Sequence, residues 1–142
     1  MMKLLVPVDG SDPSLHAVEH VIRLATHQGP VTVHLLNVYP EPVRYGDVGV
    51  KVTPEQMAEI ERRQTDPALS TAERRLRESG VPYERETRAG DVAPTIVRAA
   101  EDLGCDGIVM GTRGSGALAN LVVGSVAMKV VHVASVPVTL VR

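Results

Sequence analysis

The sequence predicts an α/β domain built on an open five-stranded parallel sheet with helices on both faces. Apolar runs typical of buried strands alternate with segments of helical periodicity along all 142 residues, which is the pattern of a doubly wound sheet. A glycine-rich stretch, residues 111–125, follows the predicted fourth strand. The length suits one domain of ordinary size, so residues 1–142 are interpreted as a single domain.

The first strand and helix follow from residue type. Lys3 to Val8 is a short, nearly continuous apolar run, as expected for a strand that is buried on both faces. Residues 9–11, Asp-Gly-Ser, end this run. Asp12 is then predicted to cap a helix that has Pro13 in its first turn and continues to about His27.

The second strand and helix flank a long loop. Val31 to Val38 is rich in β-branched residues and predicts a strand, and a polar loop follows over residues 39–52. Residues 53–56, Thr-Pro-Glu-Gln, form a capping-box pattern that begins a helix closed by Gly80. Asp66-Pro67 interrupts the pattern, so we expect a kink there or a restarted helix with Asp66 as its cap.

The remaining elements complete the alternation. Residues 83–87 include charged residues among uncharged ones, which predicts a peripheral strand. A third helix is expected from residues 90–91 to Gly104. Residues 107–110 form a buried strand, residues 125–134 a helix and residues 136–141 the last strand.

With the strands in the order 3-2-1-4-5, the chain reverses direction between the first and fourth strands. Ligands bind at such a switch point, and the turn at residues 9–11 and the glycine-rich loop both lie there.

The glycine-rich loop has the chemistry of an anion site. Between a strand and a helix amino terminus it offers backbone N–H groups, a favourable helix dipole and few Cβ atoms. An ordinary tight turn is the alternative interpretation. The spacing is more specific, because two residues separate Gly111 from Gly114 and nine separate Gly114 from Gly124-Ser125. This spacing resembles the Gly-x2-Gly-x9-Gly-(Ser/Thr) nucleotide motif in the ATP-binding branch of the universal stress protein family.

The resemblance covers the whole chain, including residues 6–11 and 136–138. It implies a Rossmann-like sheet of the adenine-nucleotide α-hydrolase type that holds ATP, with Mg²⁺ or Mn²⁺ bound through the phosphates and waters. Asp9, beside Pro7, would accept hydrogen bonds from the ribose hydroxyls, and the main chain of Val38 would read the adenine edge. The residues expected around ribose and phosphates are Gly111, Thr112, Arg113, Gly114, Ser115, Gly116 and Ala117. The phosphate site would be closed by the amides of Gly124, Ser125, Val126 and Ala127 and by the Ser125 hydroxyl.

Two of these residues have ordinary alternatives. Arg113 either reaches a phosphate oxygen or is a solvated loop residue, and Asp9 either contacts the ribose or only caps its own turn. The P-loop pattern is absent, because Gly124 directly precedes Ser125, and a dinucleotide site is disfavoured, because position 119 is Ala.

The predicted function is binding rather than turnover. An ATPase needs a group that activates or orients water, and the loop supplies amides without a clear base, so we predict no catalytic residue. ATP occupancy would then act as a regulatory switch in a stress response. The alternatives are a slow ATP hydrolase or nucleotidyl-transfer enzyme, and a structural interaction domain with a vestigial nucleotide site.

No metal-binding or reactive side chain is predicted elsewhere. His16 and His20 have ligand spacing but lack a third ligand nearby. Cys105 is interpreted as a small packing residue, and His34 and His132 as core or interface residues.

Composition restricts the partners. The formal charge of −2, the pI near 6.2 and the three tyrosines as sole aromatics argue against a nucleic-acid or membrane surface. No signal peptide or membrane-spanning stretch is evident, so the expected location is cytoplasmic. The last strand is expected at a sheet edge, where Pro137 is tolerated and Val136, Val138 and Leu140 share one face. We therefore predict a homodimer through this strand, which the resemblance also implies.

Overall fold

Five parallel strands and four helices alternate along the chain in the computed structural model, which describes residues 1–39, 53–112 and 123–142. The strands are β1 (Met2–Pro7), β2 (Val31–Tyr39), β3 (Tyr83–Ala89), β4 (Gly107–Gly111) and β5 (Val138–Val141). The helices are α1 (Asp12–His27), α2 (Pro54–Ser79), α3 (Val92–Asp102) and α4 (Ser125–Val133). The sheet order is β3-β2-β1-β4-β5, and every neighbouring pair is parallel. The predicted fold class and strand order are therefore confirmed.

Alternation along β1 shows how the two faces of the sheet are filled. Leu4 and Val6 belong to a buried cluster on the face covered by α1 and α2, whereas Leu5 belongs to a cluster on the face covered by α3 and α4. Successive side chains of a strand point to opposite faces, so a strand covered on both faces is apolar throughout. Cys105 packs in the second cluster, as predicted, and burial raises the pKa of its thiol.

Two predicted helix starts differ from the structure. Ser11, rather than Asp12, is the N-cap of α1, and its Oγ accepts a hydrogen bond from the Ser14 N–H at 3.4 Å. Asp12 then lies in the first turn, where a carboxylate is favourable near the helix dipole. The restart of α2 at Asp66 is wrong, because α2 is one helix with Pro67 inside it. Buried Leu69, together with residues further along, anchors the part that follows the proline.

Other boundaries agree more closely with the sequence. The capping box of α2 forms as predicted, with Gln56 N–H donating to Thr53 Oγ1 and Thr53 N–H donating to Gln56 Oε1, each at 3.1 Å. Gly80 closes the helix with φ +71°. β5 begins two residues later than predicted, although the Pro137 carbonyl still accepts from Ile108 N–H at 2.9 Å. The predicted loop over residues 40–52 lies outside the described residues.

A chain of polar groups links β2, β3 and α3 on one face of the sheet. His34 is 4% exposed, and its Nε2 lies 3.1 Å from Glu86 Oε2. Arg88 donates from Nε to Glu86 at 2.7 Å and from Nη1 to Asp102 at 2.9 Å. His34 is thus a core residue, one of the two predicted alternatives. His132 is exposed on α4, so of its two alternatives the core position is wrong and the interface position stays a prediction.

Glu86 makes the stability of this region dependent on pH. Burial raises the pKa of Glu86, but hydrogen bonds from Arg88 and His34 together outweigh burial, and the pKa lies below its ordinary value of 4.5. A carboxylate with a lowered folded-state pKa stabilises the fold above its unfolded-state pKa. That contribution is lost as the pH falls through the folded-state pKa.

We expect Glu86→Gln to reduce the free energy of unfolding at pH 7 by on the order of 1 kcal/mol, since Arg88 loses a charged acceptor. Below pH 4.5 the difference from the parent should shrink. Urea unfolding from pH 7 to pH 3 measures both effects. Glu84→Gln is the control, because the Glu84 side chain is 76% exposed and lies 3.7 Å from His34. A Glu86→Gln deficit that stays constant with pH contradicts the prediction.

Candidate functional site

The carboxyl ends of β1 and β4 meet at the point where the sheet order reverses. β1 pairs with both β2 and β4, so the connections that leave β1 and β4 run to opposite faces of the sheet. A Cβ on Gly111 would lie 2.7 Å from the carbonyl carbon of Pro13 and 2.8 Å from its Cβ and oxygen. The first turn of α1 therefore rests directly against the end of β4. The structure thus places Gly111, the first residue of the glycine-rich stretch, against Pro13, two residues after the turn at residues 9–11.

The turn after β1 is held by its own side chains. Ser11 donates from its N–H to Asp9 Oδ1 at 2.9 Å, and the Ser11 hydroxyl also donates to Oδ1. Within the described part of the chain, both hydrogen bonds to this carboxylate end on Oδ1, and Asp9 is an exposed residue. Asp9 therefore does cap its turn, and it retains an oxygen that can accept from a ligand hydroxyl.

The main chain of Val38 is directed towards the end of β1. Alternate residues of a strand turn their N–H and C=O groups to opposite neighbours. The Leu36 carbonyl accepts from Val8 N–H on the β1 side, whereas the Tyr39 carbonyl accepts from Gly90 N–H on the β3 side. Val38 shares the direction of Leu36, and the β1–β2 pairing ends at Pro7 and Leu36. The polar groups of Val38 thus lie beyond the last paired residue of β1.

Two hydrogen bonds fix the base of the glycine-rich loop. The Gly124 N–H donates to the Thr112 carbonyl at 2.6 Å, and the Thr112 N–H donates to the Val141 carbonyl at 2.9 Å. Five of the predicted site residues lie in the segment 113–122, outside the described residues: Arg113, Gly114, Ser115, Gly116 and Ala117. The segment is therefore anchored at both ends to the carboxyl edge of the sheet.

The start of α4 offers backbone N–H groups to an anion. Gly124 is the N-cap, and among the described residues no side chain makes a capping hydrogen bond to the helix. The first turn of α4, which the structure describes in full, carries no acidic residue. N–H groups in a first helical turn have no partner within the helix, so those of Ser125, Val126 and Ala127 are suited to a phosphate. The Gly124 amide, expected from the sequence to join them, instead donates to Thr112.

Two buried polar residues beside this crevice were not identified from the sequence. Ser14 is 5% exposed and Asn37 is 6% exposed. Asn37 Nδ2 donates to the Val8 carbonyl at 2.8 Å, and Ser14 Oγ accepts from the Asp9 N–H at 3.4 Å. Asn37 is a polar residue within the apolar run of β2, which was its only signal, whereas Ser14 lies in a polar stretch and gave none. His16, considered as a metal ligand, has its Nδ1 3.0 Å from the Arg142 main-chain oxygen.

Comparisons with known proteins agree with this fold. The model of the family described as the universal stress protein family matches residues 1–142. A universal stress protein of Methanocaldococcus jannaschii is 32% identical over 142 residues, which cover 99% of this chain and 81% of that protein. The solved structure of the hypothetical protein MJ0577 is 29% identical with a TM-score of 0.77, covering 99% of this chain and 94% of the other. The universal stress protein from Archaeoglobus fulgidus, solved in complex with dAMP, is 25% identical with a TM-score of 0.66, covering 100% and 98%.

Proposed function

This chain belongs to the universal stress protein family, and we propose that it binds ATP as a regulatory switch with little or no turnover. The observation that carries the proposal is the contact between Pro13 and Gly111, because it joins the Asp9 turn to the strand that leads into the glycine-rich loop. A relative solved with dAMP supports an adenine nucleotide as the class of ligand. That the bound nucleotide is a triphosphate is our own proposal.

Each side of the crevice has a proposed role. Asp9, beside Pro7, accepts from the ribose hydroxyls through Oδ2, and the Val38 main chain reads the adenine edge. Ribose and phosphates are wrapped by Gly111 and Thr112 together with residues 113–117. The phosphates are closed in by the first turn of α4, through the amides of Ser125, Val126 and Ala127. Mg²⁺ or Mn²⁺ accompanies ATP through phosphate oxygens and waters.

A switch fits the described residues better than an enzyme does. Of the site residues predicted from the sequence that the structure describes, Asp9 is the one acidic side chain, and its Oδ1 is held by Ser11. A carboxylate assigned to the ribose is not placed to activate water at the far phosphate. Binding energy is therefore assigned to ordering the loop rather than to chemistry.

Mass spectrometry of nucleotide released from freshly purified protein tests the proposal. We expect ATP in the parent, and we expect Asp9→Ala to weaken ATP binding about tenfold in calorimetry, because hydrogen bonds to a charged acceptor contribute about 1.5–3 kcal/mol. Absence of nucleotide and of measurable ATP binding would indicate a vestigial site and refute the proposal.

Hydrolysis at saturating ATP separates the switch from a slow hydrolase. Product that accumulates in proportion to purified protein, at a rate reduced by Asp9→Ala, favours the enzyme. A rate that is the same in the parent and Asp9→Ala assigns the product to contamination.

We also propose a twofold homodimer through β5. β5 is an edge strand of the sheet, and Val136, Val138 and Leu140 pack only partly against the core on the α3–α4 side. The carbonyls of Pro137 and Val141 accept from β4 and from the residue after it, so alternation turns the N–H groups of Val138 and Leu140 outward. On neighbouring α4, Met128 and Val131 are 54% and 48% exposed. An uncovered edge of this kind invites pairing with a second copy.

We expect a dimer mass in light scattering across a range of concentrations. Val138→Pro removes an outward N–H and should weaken the dimer by about tenfold or more. Val138→Ala, which keeps the N–H and removes more of the side chain, should weaken it less. A monomer mass that is independent of concentration refutes the dimer. Dimerisation that is weaker in Val138→Ala than in Val138→Pro refutes main-chain pairing.

A cytoplasmic location without nucleic-acid or membrane partners completes the proposal. In the described ranges, none of the helices is both long and apolar enough to cross a bilayer.

A further inference from the structure

We infer that Ser14 and Asn37 are positioning residues that aim the Asp9 carboxylate at the ribose, an inference that rests on the proposed function. Neither residue is expected to touch the nucleotide. They act on the peptide unit that joins Val8 to Asp9, and through it on the direction in which the Asp9 side chain leaves the backbone.

Both polar ends of that peptide unit are held by a buried side chain. The Val8 carbonyl accepts from Asn37 Nδ2 at 2.8 Å, and the Asp9 N–H lies 3.4 Å from Ser14 Oγ. Ser14 and Asn37, hereafter the polar clamp, are 5% and 6% exposed. Buried polar groups are retained at a cost in desolvation, so two of them on a single peptide unit indicate that its orientation matters.

The polar clamp continues into the turn itself. Ser14 Oγ donates to the Ser11 carbonyl at 2.8 Å, and the Ser11 N–H donates to Asp9 Oδ1 at 2.9 Å. The backbone before Asp9 and one oxygen of its carboxylate are thus both fixed, which directs Oδ2 without any contact from the ligand. An acceptor that is held in place before binding loses less conformational entropy when a ligand arrives.

The inference predicts a loss of selectivity for the ribose hydroxyls rather than a general loss of affinity. The ratio of ATP affinity to 2′,3′-dideoxy-ATP affinity isolates the part of binding that depends on both hydroxyls. We expect this ratio to be about tenfold or more in the parent and close to one in Asp9→Ala. Ser14→Ala and Asn37→Leu should each lower the ratio at least threefold, while the affinity for dideoxy-ATP stays within about twofold of the parent.

Two comparisons separate positioning from a purely structural role. Added to Asp9→Ala, either variant of the polar clamp should cause no further change in ATP affinity, because its effect passes through Asp9. Val21→Ala truncates a fully buried residue of α1. It should lower the thermal midpoint while leaving the ratio unchanged.

The outcomes distinguish this inference from the proposed function. A parent that binds neither nucleotide refutes the proposed function itself. A parent that binds both equally, or variants that keep the parental ratio, overturns the polar clamp and leaves nucleotide binding intact. If Asn37→Leu does not fold, Ser14→Ala decides the question alone, since it removes one hydroxyl from a helix and introduces no new group.

Discussion

Replacing Ser125 by Asp is expected to weaken ATP binding about a hundredfold while making the folded chain slightly more stable. Ser125 is the first residue of α4 and is exposed. A carboxylate in the first helical turn interacts favourably with the helix dipole, by about 0.3–1 kcal/mol. The same carboxylate repels a phosphate, by about 4 kcal/mol for unit charges 4 Å apart near a protein surface, and it occupies the amides that the phosphate requires.

Calorimetry with ATP and thermal unfolding without nucleotide measure the two opposite effects. Ser125→Asn is the matched control, because asparagine has nearly the same shape as aspartate and carries no charge. This variant should lose only the contribution of the Ser125 hydroxyl to ATP affinity. Affinity for adenosine, which lacks phosphates, should be the same in all three proteins. Equal losses of ATP affinity in Ser125→Asp and Ser125→Asn, or a loss of adenosine binding, would show that the phosphates lie elsewhere.

Gly111→Ala should lower the free energy of unfolding by roughly 2–3 kcal/mol and the thermal midpoint by roughly 5–10 °C. The added Cβ would come within 2.8 Å of main-chain atoms of Pro13, which cannot rotate away as the end of a side chain can. Either β4 or the start of α1 must move, and we expect ATP affinity to fall with the displacement.

Gly107→Ala provides the control from the same strand. There the nearest atoms are Leu4 Cδ2 at 3.3 Å and the Pro137 carbonyl oxygen at 3.4 Å. A flexible side chain can absorb the first of these contacts, and the loss of glycine's freedom in the unfolded chain partly offsets the rest. We expect a change below about 1 kcal/mol. Equal destabilisation by the two substitutions would contradict the tight contact between Gly111 and Pro13.

The sheet was predictable because its signals are redundant. Apolar strands such as β1 and β4 can be buried on both faces only in a layered α/β arrangement, and the helices between them fix their parallel direction. Helix ends were less predictable, since Ser11 and Asp12 are both good caps and Pro13 tolerates either start. The continuation of α2 past Pro67 depends on tertiary burial of Leu69, which local sequence does not encode.

The site was predictable in outline and less so in its supporting contacts. Gly111 and Asp9 follow their strands directly, so the topology alone brings them to one crevice. The Asn37–Val8 hydrogen bond joins residues 29 positions apart, and nothing in the local pattern around Asn37 identifies its partner. The Gly124–Thr112 bond is likewise visible only after folding, and it changes which amides are offered to an anion.

The hydrogen bond between Thr112 and Gly124 sets the separation of the two ends of the intervening segment. Its two ends are held together by the fold, so lengthening the segment adds little closure entropy, about 0.6 kcal/mol for each doubling of loop length. Insertions and deletions between these anchors should therefore change what the crevice admits without loosening the sheet. Ligand preference can then diverge among related chains while their thermal stability stays nearly constant.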